Sequence, residues 1–69
     1  MINVWDYINE KGKVRLTDID GVKYDGYIEE ITDVGEEAEG GLEEDSLILE
    51  TQEAFIVFPQ SEIISVESI

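Results

Sequence analysis

After residue 12, hydrophobic and polar residues alternate along most of the chain. Val14 and Leu16 are separated by single polar residues, so they point to one face of a strand while the polar side chains point to the other. Residues 18–21, Asp-Ile-Asp-Gly, form an acidic stretch that ends in glycine, which is typical of a hairpin turn. The alternation resumes at Val22. The pattern therefore predicts two antiparallel strands joined by a short turn.

The second predicted strand has an irregularity near its middle. Tyr24, Gly26 and Ile28 fall on one face, but two acidic residues then separate Ile28 from Ile31 and break the alternation. Glycine inside a strand often marks a bend, and an extra residue is the mark of a β-bulge. We expect this strand to bend strongly or to carry a bulge.

Three further strands are predicted in the second part of the chain. Residues 46–51 and 53–58 are mainly apolar segments separated only by the short region around Gln52, which indicates a tight hairpin. A last strand over 62–69 follows a turn at 59–61 that contains the only proline. Between the second and third strands, residues 35–45 have six acids and three glycines. This composition cannot build a core, so we predict a flexible acidic loop.

A short helix is predicted over residues 3–11, before the first strand. Asn3 is a favourable N-cap, Asp6 lies in the first turn, and Gly12 stands where a glycine often ends a helix. We expect one apolar face to pack on the body of the domain, the alternative being an exposed binding helix. The side chains of that face are Val4, Trp5 and Ile8. The prediction is one mainly β domain over residues 1–69.

The length and composition indicate a small domain whose own core provides only marginal stability. A chain of this length buries only about 60% of its unfolded surface. It has no cysteine for a disulfide and no histidine for a zinc site. Association with other subunits is the remaining source of stability, so we expect an oligomer.

The charge is strongly negative and unevenly distributed. Four basic and 18 acidic residues give a net charge of −14, and residues 24–69 contain no lysine or arginine. A broad cationic face for nucleic acid cannot be built from this sequence, and an anionic membrane would be repelled. The first residues lack the basic and apolar regions of a signal peptide, and no segment has about 20 consecutive apolar residues. We therefore expect a cytoplasmic protein.

The order of elements resembles the Sm-like (LSm) family. That family has an N-terminal helix and five strongly bent antiparallel strands that form a small, open, SH3-like barrel. Its second motif places apolar residues five and eight positions after a first one, and Phe58, Ile63 and Val66 keep this spacing. The first motif is matched by Val14, Leu16, Asp20, Gly21, Tyr24, Gly26 and Ile28. An unrelated SH3-like barrel is the alternative fold.

The residues with which this family holds a uracil base do not carry over. The family's Asp corresponds to Thr32, and Asp33 comes one position late with no Asn three residues on. Pro59 and Gln60 stand where the family has Arg-Gly, and a stacking aromatic residue is also missing from the loop. The resemblance thus implies the fold without the family's uridine site.

The apolar run at 54–58 predicts a subunit interface. A strand with both faces buried reads as a continuous apolar run, and so small a core cannot take all these side chains. In Sm-like proteins the fourth strand pairs with the fifth strand of a neighbour, which implies a ring of about five to eight subunits. The alternative is that the N-terminal helix covers the second face. The predicted interface residues are Phe55, Ile56, Val57, Phe58, Ile63, Ile64 and Val66.

Catalytic and metal-binding chemistry has little support in the sequence. If Gly21 is the sixth position of a calcium loop, Leu16 and Tyr27 occupy the first and twelfth, where oxygen ligands are required. The acidic loop is expected to bind cations weakly at most, because its glycines fix no ligand geometry. No nucleophile has a base at a recognisable spacing. We predict a protein that is not an enzyme and has no cofactor.

Three functions remain open. The first is a self-associating interaction module without classical uridine binding. The second is an RNA-associated protein that contacts RNA through its basic N-terminal part, although the nearby acids Glu10, Asp18 and Asp20 favour surface salt links there. The third is an acidic decoy or regulator that binds a basic protein. The candidate nucleic-acid contacts are Lys11, Lys13, Arg15 and Lys23.

Overall fold

The computed structural model describes residues 2–33 and 44–69, and within these ranges the fold is mainly β. The five predicted strands are present, all neighbours pair antiparallel, and the strand order is β4-β3-β2-β1-β5. The sheet does not close, so β4 and β5 are its two edges. The strands are β1 (Val14–Asp18), β2 (Lys23–Thr32), β3 (Ser46–Glu50), β4 (Phe55–Pro59) and β5 (Ile63–Ser68).

Strand β2 joins two parts of the sheet. Its residues 23–26 pair with β1, and residues 27–32 pair with β3. We call β5, β1 and residues 23–26 the first half-sheet, and residues 27–32, β3 and β4 the second half-sheet. The irregularity expected in β2 is confirmed: Ile28 pairs with Leu49 and Glu30 with Ile48, which leaves Glu29 as the extra residue of a bulge.

Gly26 lies where β2 passes from one half-sheet to the other. A Cβ atom at this position would overlap the carbonyl group of Glu50 and touch the side chain of Leu49. Glycine is therefore required here because the backbone of β3 approaches too closely for any side chain. The glycine noted in the sequence marks the joint of the sheet.

The core consists of inward-facing side chains from both half-sheets. The rings of Tyr24 and Phe58, one from each half-sheet, are tilted at 59° with centroids 5.1 Å apart. This arrangement is favourable for an aromatic pair. The buried apolar residues are Val4, Val14, Leu16, Leu47, Leu49, Phe58, Ile63 and Val66.

The predicted helix over 3–11 is wrong in extent and type. This segment forms only a 3₁₀ helix, Val4–Tyr7. A second 3₁₀ helix, Gln60–Glu62, connects β4 to β5. Asn3 caps the N-terminal 3₁₀ helix as expected, since its side-chain oxygen accepts a hydrogen bond from the Trp5 N–H. A 3₁₀ helix places residues i and i+3 on one side, so Tyr7 packs on the core together with Val4, while Ile8 is exposed. The burial expected for Ile8 is therefore also wrong.

The N-terminal 3₁₀ helix is fixed to the segments that flank β3 and β5. The Val4 N–H donates to Gln60 Oε1 at 2.8 Å, and the Trp5 indole N–H donates to Asp45 Oδ2 at 2.8 Å. Glu44 accepts hydrogen bonds from the backbone and the hydroxyl of Ser61. The predicted acidic loop over 35–45 otherwise lies outside the described residues.

The turn between β1 and β2 is organised by Asp18. Its Oδ1 accepts from the N–H groups of Asp20 and Val22, and its Oδ2 accepts from the Tyr24 hydroxyl. Gly21 has a φ of 81°, which few other residues adopt without strain. The predicted turn is confirmed. In the described ranges, no helix is long and apolar enough to span a bilayer.

Candidate functional site

The predicted interface residues separate into two groups in the structure. Phe58, Ile63 and Val66 belong to the core of the single chain, and Ile56 packs against that core. Phe55, Val57 and Ile64 are exposed, at 61%, 45% and 56% respectively. The alternation along β4 thus directs half of the apolar run inward and half outward, and the N-terminal 3₁₀ helix leaves Phe55 and Val57 uncovered.

The exposed residues of β4 form part of an apolar patch on the outer face of the second half-sheet. Val57 pairs with Ile48, and Phe55 pairs with Glu50. Ile48 is half-buried and does not belong to the core. We call Ile48, Phe55 and Val57 the outer patch. Its position at the edge of the sheet makes it accessible to another strand.

The backbone of β4 presents unused hydrogen-bonding groups at this edge. The Thr51 N–H donates to the Ala54 carbonyl, and antiparallel pairs alternate between bonded and non-bonded, so the groups of Phe55 and Val57 point away from β3. No strand in the described part of the chain pairs with this edge. Pro59 also points outward, but it offers only a carbonyl. The part of the β4 edge that can both donate and accept backbone hydrogen bonds therefore ends before Pro59.

The backbone of β5 presents a second edge. The Ile69 N–H donates to the Lys13 carbonyl, so by the same alternation the groups of Val66 and Ser68 point away from β1. A register shift opposite Thr17 makes Ile64 the extra residue of a bulge, which limits the regular edge to the end of the strand. The two edges together are the candidate assembly site.

Of the four candidate nucleic-acid contacts, Arg15 is already engaged. It donates two hydrogen bonds to Asp25, from Nε at 2.7 Å and from a terminal nitrogen at 2.9 Å. This bidentate contact lowers the pKa of Asp25 and raises the pKa of Arg15. We expected Glu10, Asp18 and Asp20 to neutralise the basic residues. In the structure, Asp18 instead accepts hydrogen bonds from N–H groups of the turn, and Asp25 is the carboxylate that binds Arg15.

Two of the lysines line a groove that the sequence did not predict. The groove, of about 890 Å³, lies beside the joint at Gly26, between β2 and the β3–β4 hairpin. Its lining includes the cationic Lys13 and Lys23, the carboxylates of Asp25, Glu50 and Glu53, and the apolar Ala54 and Ile56. Lys11 is exposed elsewhere. The groove depends on the divergence of the two half-sheets, which alternation patterns do not reveal.

Metal binding has no support within residues 2–33 and 44–69. No group of three or more acidic side chains in these ranges is arranged to hold an ion. The most buried carboxylate, that of Asp18, accepts hydrogen bonds from the turn and from Tyr24. The carboxylate thus organises the turn.

Comparisons with models of known protein families, with curated proteins and with solved structures found no match. A function is therefore inferred from the two edges, the outer patch and the charges around them.

Proposed function

We propose that this chain is an Sm-like module that associates with copies of itself, β4 of one copy against β5 of the next, and serves as an oligomeric interaction platform. The observation that carries the proposal is the pair of free edges together with the outer patch. A long, uncovered apolar edge strand promotes aggregation, and natural proteins normally shield it. Pairing with a second copy would shield β4 of one copy and β5 of the other, so a chain with a neighbour on each side has both edges covered.

The alternation along the two edges supports this pairing. Outward-pointing groups belong to Phe55 and Val57 on β4, whose side chains lie on the outer face, and to Val66 on β5, whose side chain lies in the core. Residues paired across two strands point to the same face of the sheet. Pairing of β4 with β5 would therefore put Phe55 and Val57 on the core side of the neighbour's sheet, where apolar side chains become buried.

One alignment of the two strands uses the edges best. Phe55 would pair with the neighbour's Ser68, and Val57 with the neighbour's Val66, each pair exchanging two backbone hydrogen bonds. A shift of two residues would place Pro59 against Val66 and lose a bond, because proline has no N–H. The preferred alignment also brings two valines together, a favourable cross-strand contact.

The test is the solution mass, measured by light scattering over a range of concentrations, for the wild type and for Val57→Glu. We expect a multimer for the wild type. The substitution should weaken association by about 30-fold or more, since it places a charge in the centre of an apolar interface. Circular dichroism would verify that the variant still folds, because Val57 contributes little to the monomer core.

Val22→Glu is the matched control. Val22 has the same residue type and nearly the same exposure, 46% against 45%, but it lies in the turn between β1 and β2. We expect this variant to assemble like the wild type. Equal weakening by both substitutions would reject the β4 edge as the interface, and a wild type that stays monomeric would reject self-association.

RNA binding through the basic residues is the less favoured function. Arg15 gives both of its hydrogen-bonding contacts to Asp25, and phosphate recognition by arginine uses the same donors. A basic protein partner agrees with the net charge of −14, but charge alone defines no binding site. Titration of the assembled protein with RNA would test the second function, since any binding should be lost in Lys13→Glu.

A further inference from the structure

The two edges that would meet in the proposed contact carry charges of one sign. Residues 24–69 contain no lysine or arginine, and β3, β4 and β5 all lie in this part of the chain. Four exposed carboxylates lie at the edges, and none of them forms an ion pair with a residue in the described ranges. They belong to Glu50 and Glu53 beside β4, and to Glu62 and Glu67 before and within β5.

The basic residues of the chain compensate these edges only weakly. Arg15 is opposite Glu67 in the strand register, but it directs its hydrogen bonds to Asp25. The two lysines of the groove are outnumbered there by three carboxylates. Lys11 is adjacent in sequence to Glu10, which carries the opposite charge. The edges therefore keep an excess of negative charge.

Pairing of β4 with β5 would bring the carboxylates of the two edges close together. In the preferred alignment, the neighbour's Glu67 comes opposite Ile56, and adjacent strands are about 4.8 Å apart. Glu53 is three residues from Ile56, a span of about 10 Å along an extended chain. The Debye length is about 10 Å at 0.1 M salt, so charges at this separation are only partly screened. Like charges across an interface oppose association.

We propose that ionic strength controls this assembly. The carboxylates of the two edges keep copies apart at low salt, and screening of these carboxylates allows β4 and β5 to pair. This inference rests on the proposed edge pairing and adds its regulation. Interfaces between opposite charges weaken when salt is added, because salt screens attraction. Here the sign is reversed, since the charges at the two edges are alike.

The first test is the dissociation constant of the full chain, measured by light scattering or sedimentation from about 0.01 M to about 1 M sodium chloride. The Debye length falls from about 30 Å to about 3 Å over this range, so we expect the dissociation constant to fall by about tenfold or more. A value that rises or stays constant, with assembly intact, would overturn the regulation and leave the edge pairing standing. A chain that is monomeric at every salt concentration would overturn both.

Two double variants locate the repulsion. Glu53→Gln combined with Glu67→Gln removes one carboxylate from each edge, and at low salt it should lower the dissociation constant by about tenfold and weaken its dependence on salt. Asp20→Asn combined with Glu29→Gln is the matched control. It removes two exposed carboxylates as well, but from the β1–β2 turn and from the bulge of β2. It should lower the dissociation constant by less than about threefold.

The comparison of the two double variants also separates charge from other effects of salt. Stronger apolar contacts in concentrated salt would tighten the assembly of both variants equally. A difference between them therefore reports the charges at the edges. Equal dissociation constants for the two double variants at low salt would overturn the assignment of the repulsion to β4 and β5.

Discussion

The two half-sheets differ in how their outer faces are completed. In the first half-sheet, Arg15 and Asp25 face each other across β1 and β2 and form a bidentate ion pair. In the second half-sheet, the corresponding positions carry Phe55 and Val57, which are exposed, and Glu50, which has no cation partner among residues 2–33 and 44–69. The first face carries an ion pair formed within the chain, whereas the second presents exposed apolar side chains beside a carboxylate without a described cation partner.

The net charge of −14 therefore does not describe how charge is distributed between the two half-sheets. All four basic residues occur in the first 23 residues: Arg15 and Lys23 lie in the first half-sheet, and Lys11 and Lys13 come shortly before β1. The first half-sheet can therefore neutralise some of its own acids. The second half-sheet has none and relies on apolar side chains at its outer edge. A surface that lacks internal partners is where a partner molecule is most expected.

The largest predicted effect comes from the joint between the half-sheets. Gly26→Ala should destabilise the fold by about 3 kcal/mol or more, because the new Cβ would overlap the Glu50 carbonyl group and force the strands apart. Urea unfolding followed by circular dichroism would measure the change. Gly12→Ala is the control, since its nearest atom would be 3.7 Å away, an ordinary contact, and it should have little effect.

The next largest effect concerns the turn of the first half-sheet. Asp18→Ala should cost about 2 kcal/mol, since two backbone N–H groups and the Tyr24 hydroxyl lose their acceptor. Thermal unfolding would measure it. Asp20→Ala, in the same turn, removes an exposed side chain and should change the stability by less than about 0.5 kcal/mol. Similar losses for both variants would contradict the role given to Asp18.

A smaller effect should appear at alkaline pH. The pKa of Tyr24 is raised, first by burial and then by the hydrogen bond to Asp18. A group with a raised folded-state pKa stabilises the fold below its unfolded-state pKa, about 10, and this contribution is lost as the pH rises through the folded-state value. Tyr24→Phe should therefore lose less stability than the wild type when the pH is raised above 10. Urea unfolding of both proteins at neutral pH and above pH 10 would measure the difference, and equal losses of stability would contradict it.

The smallest effect compares the two outer faces directly. The hydrogen bonds from Arg15 lower the pKa of Asp25. This carboxylate therefore stabilises the fold above its unfolded-state pKa, about 4, and loses that contribution as the pH falls through the lowered folded-state pKa. Asp25→Asn should lower the melting temperature slightly at pH 7 and not at all in acid. Glu50→Gln should cause no loss at either pH, and a loss equal to that of Asp25→Asn would remove the contrast between the faces.

Much of the strand pattern could be predicted because it depends on local features. Alternation located the strands, Asp20 and Gly21 located the turn, and the interrupted pattern after Ile28 located the bulge. Each of these features is contained in a few consecutive residues. The edge position of the apolar run was implied by the family resemblance rather than by alternation, and alternation divides that run between core and surface.

The remaining features depend on contacts between distant segments. The helix over 3–11 was predicted from capping residues, but its length is decided by packing, and the core contacts of this segment come from Val4, Trp5 and Tyr7. The partner of Arg15 is set by the β1–β2 register, which no single segment specifies. The groove requires two segments to diverge, so it was not foreseen.

The two edges have a consequence for growth of the assembly, because they belong to different strands. Every contact would join unlike surfaces, so a row of copies has two distinct ends, and only the angle between the edges decides whether it closes into a ring or extends into a fibre. A Val57→Glu copy would still offer an intact β5. It should therefore add to one end of a row and stop elongation there, which makes a trace of this variant a chain terminator for the wild type.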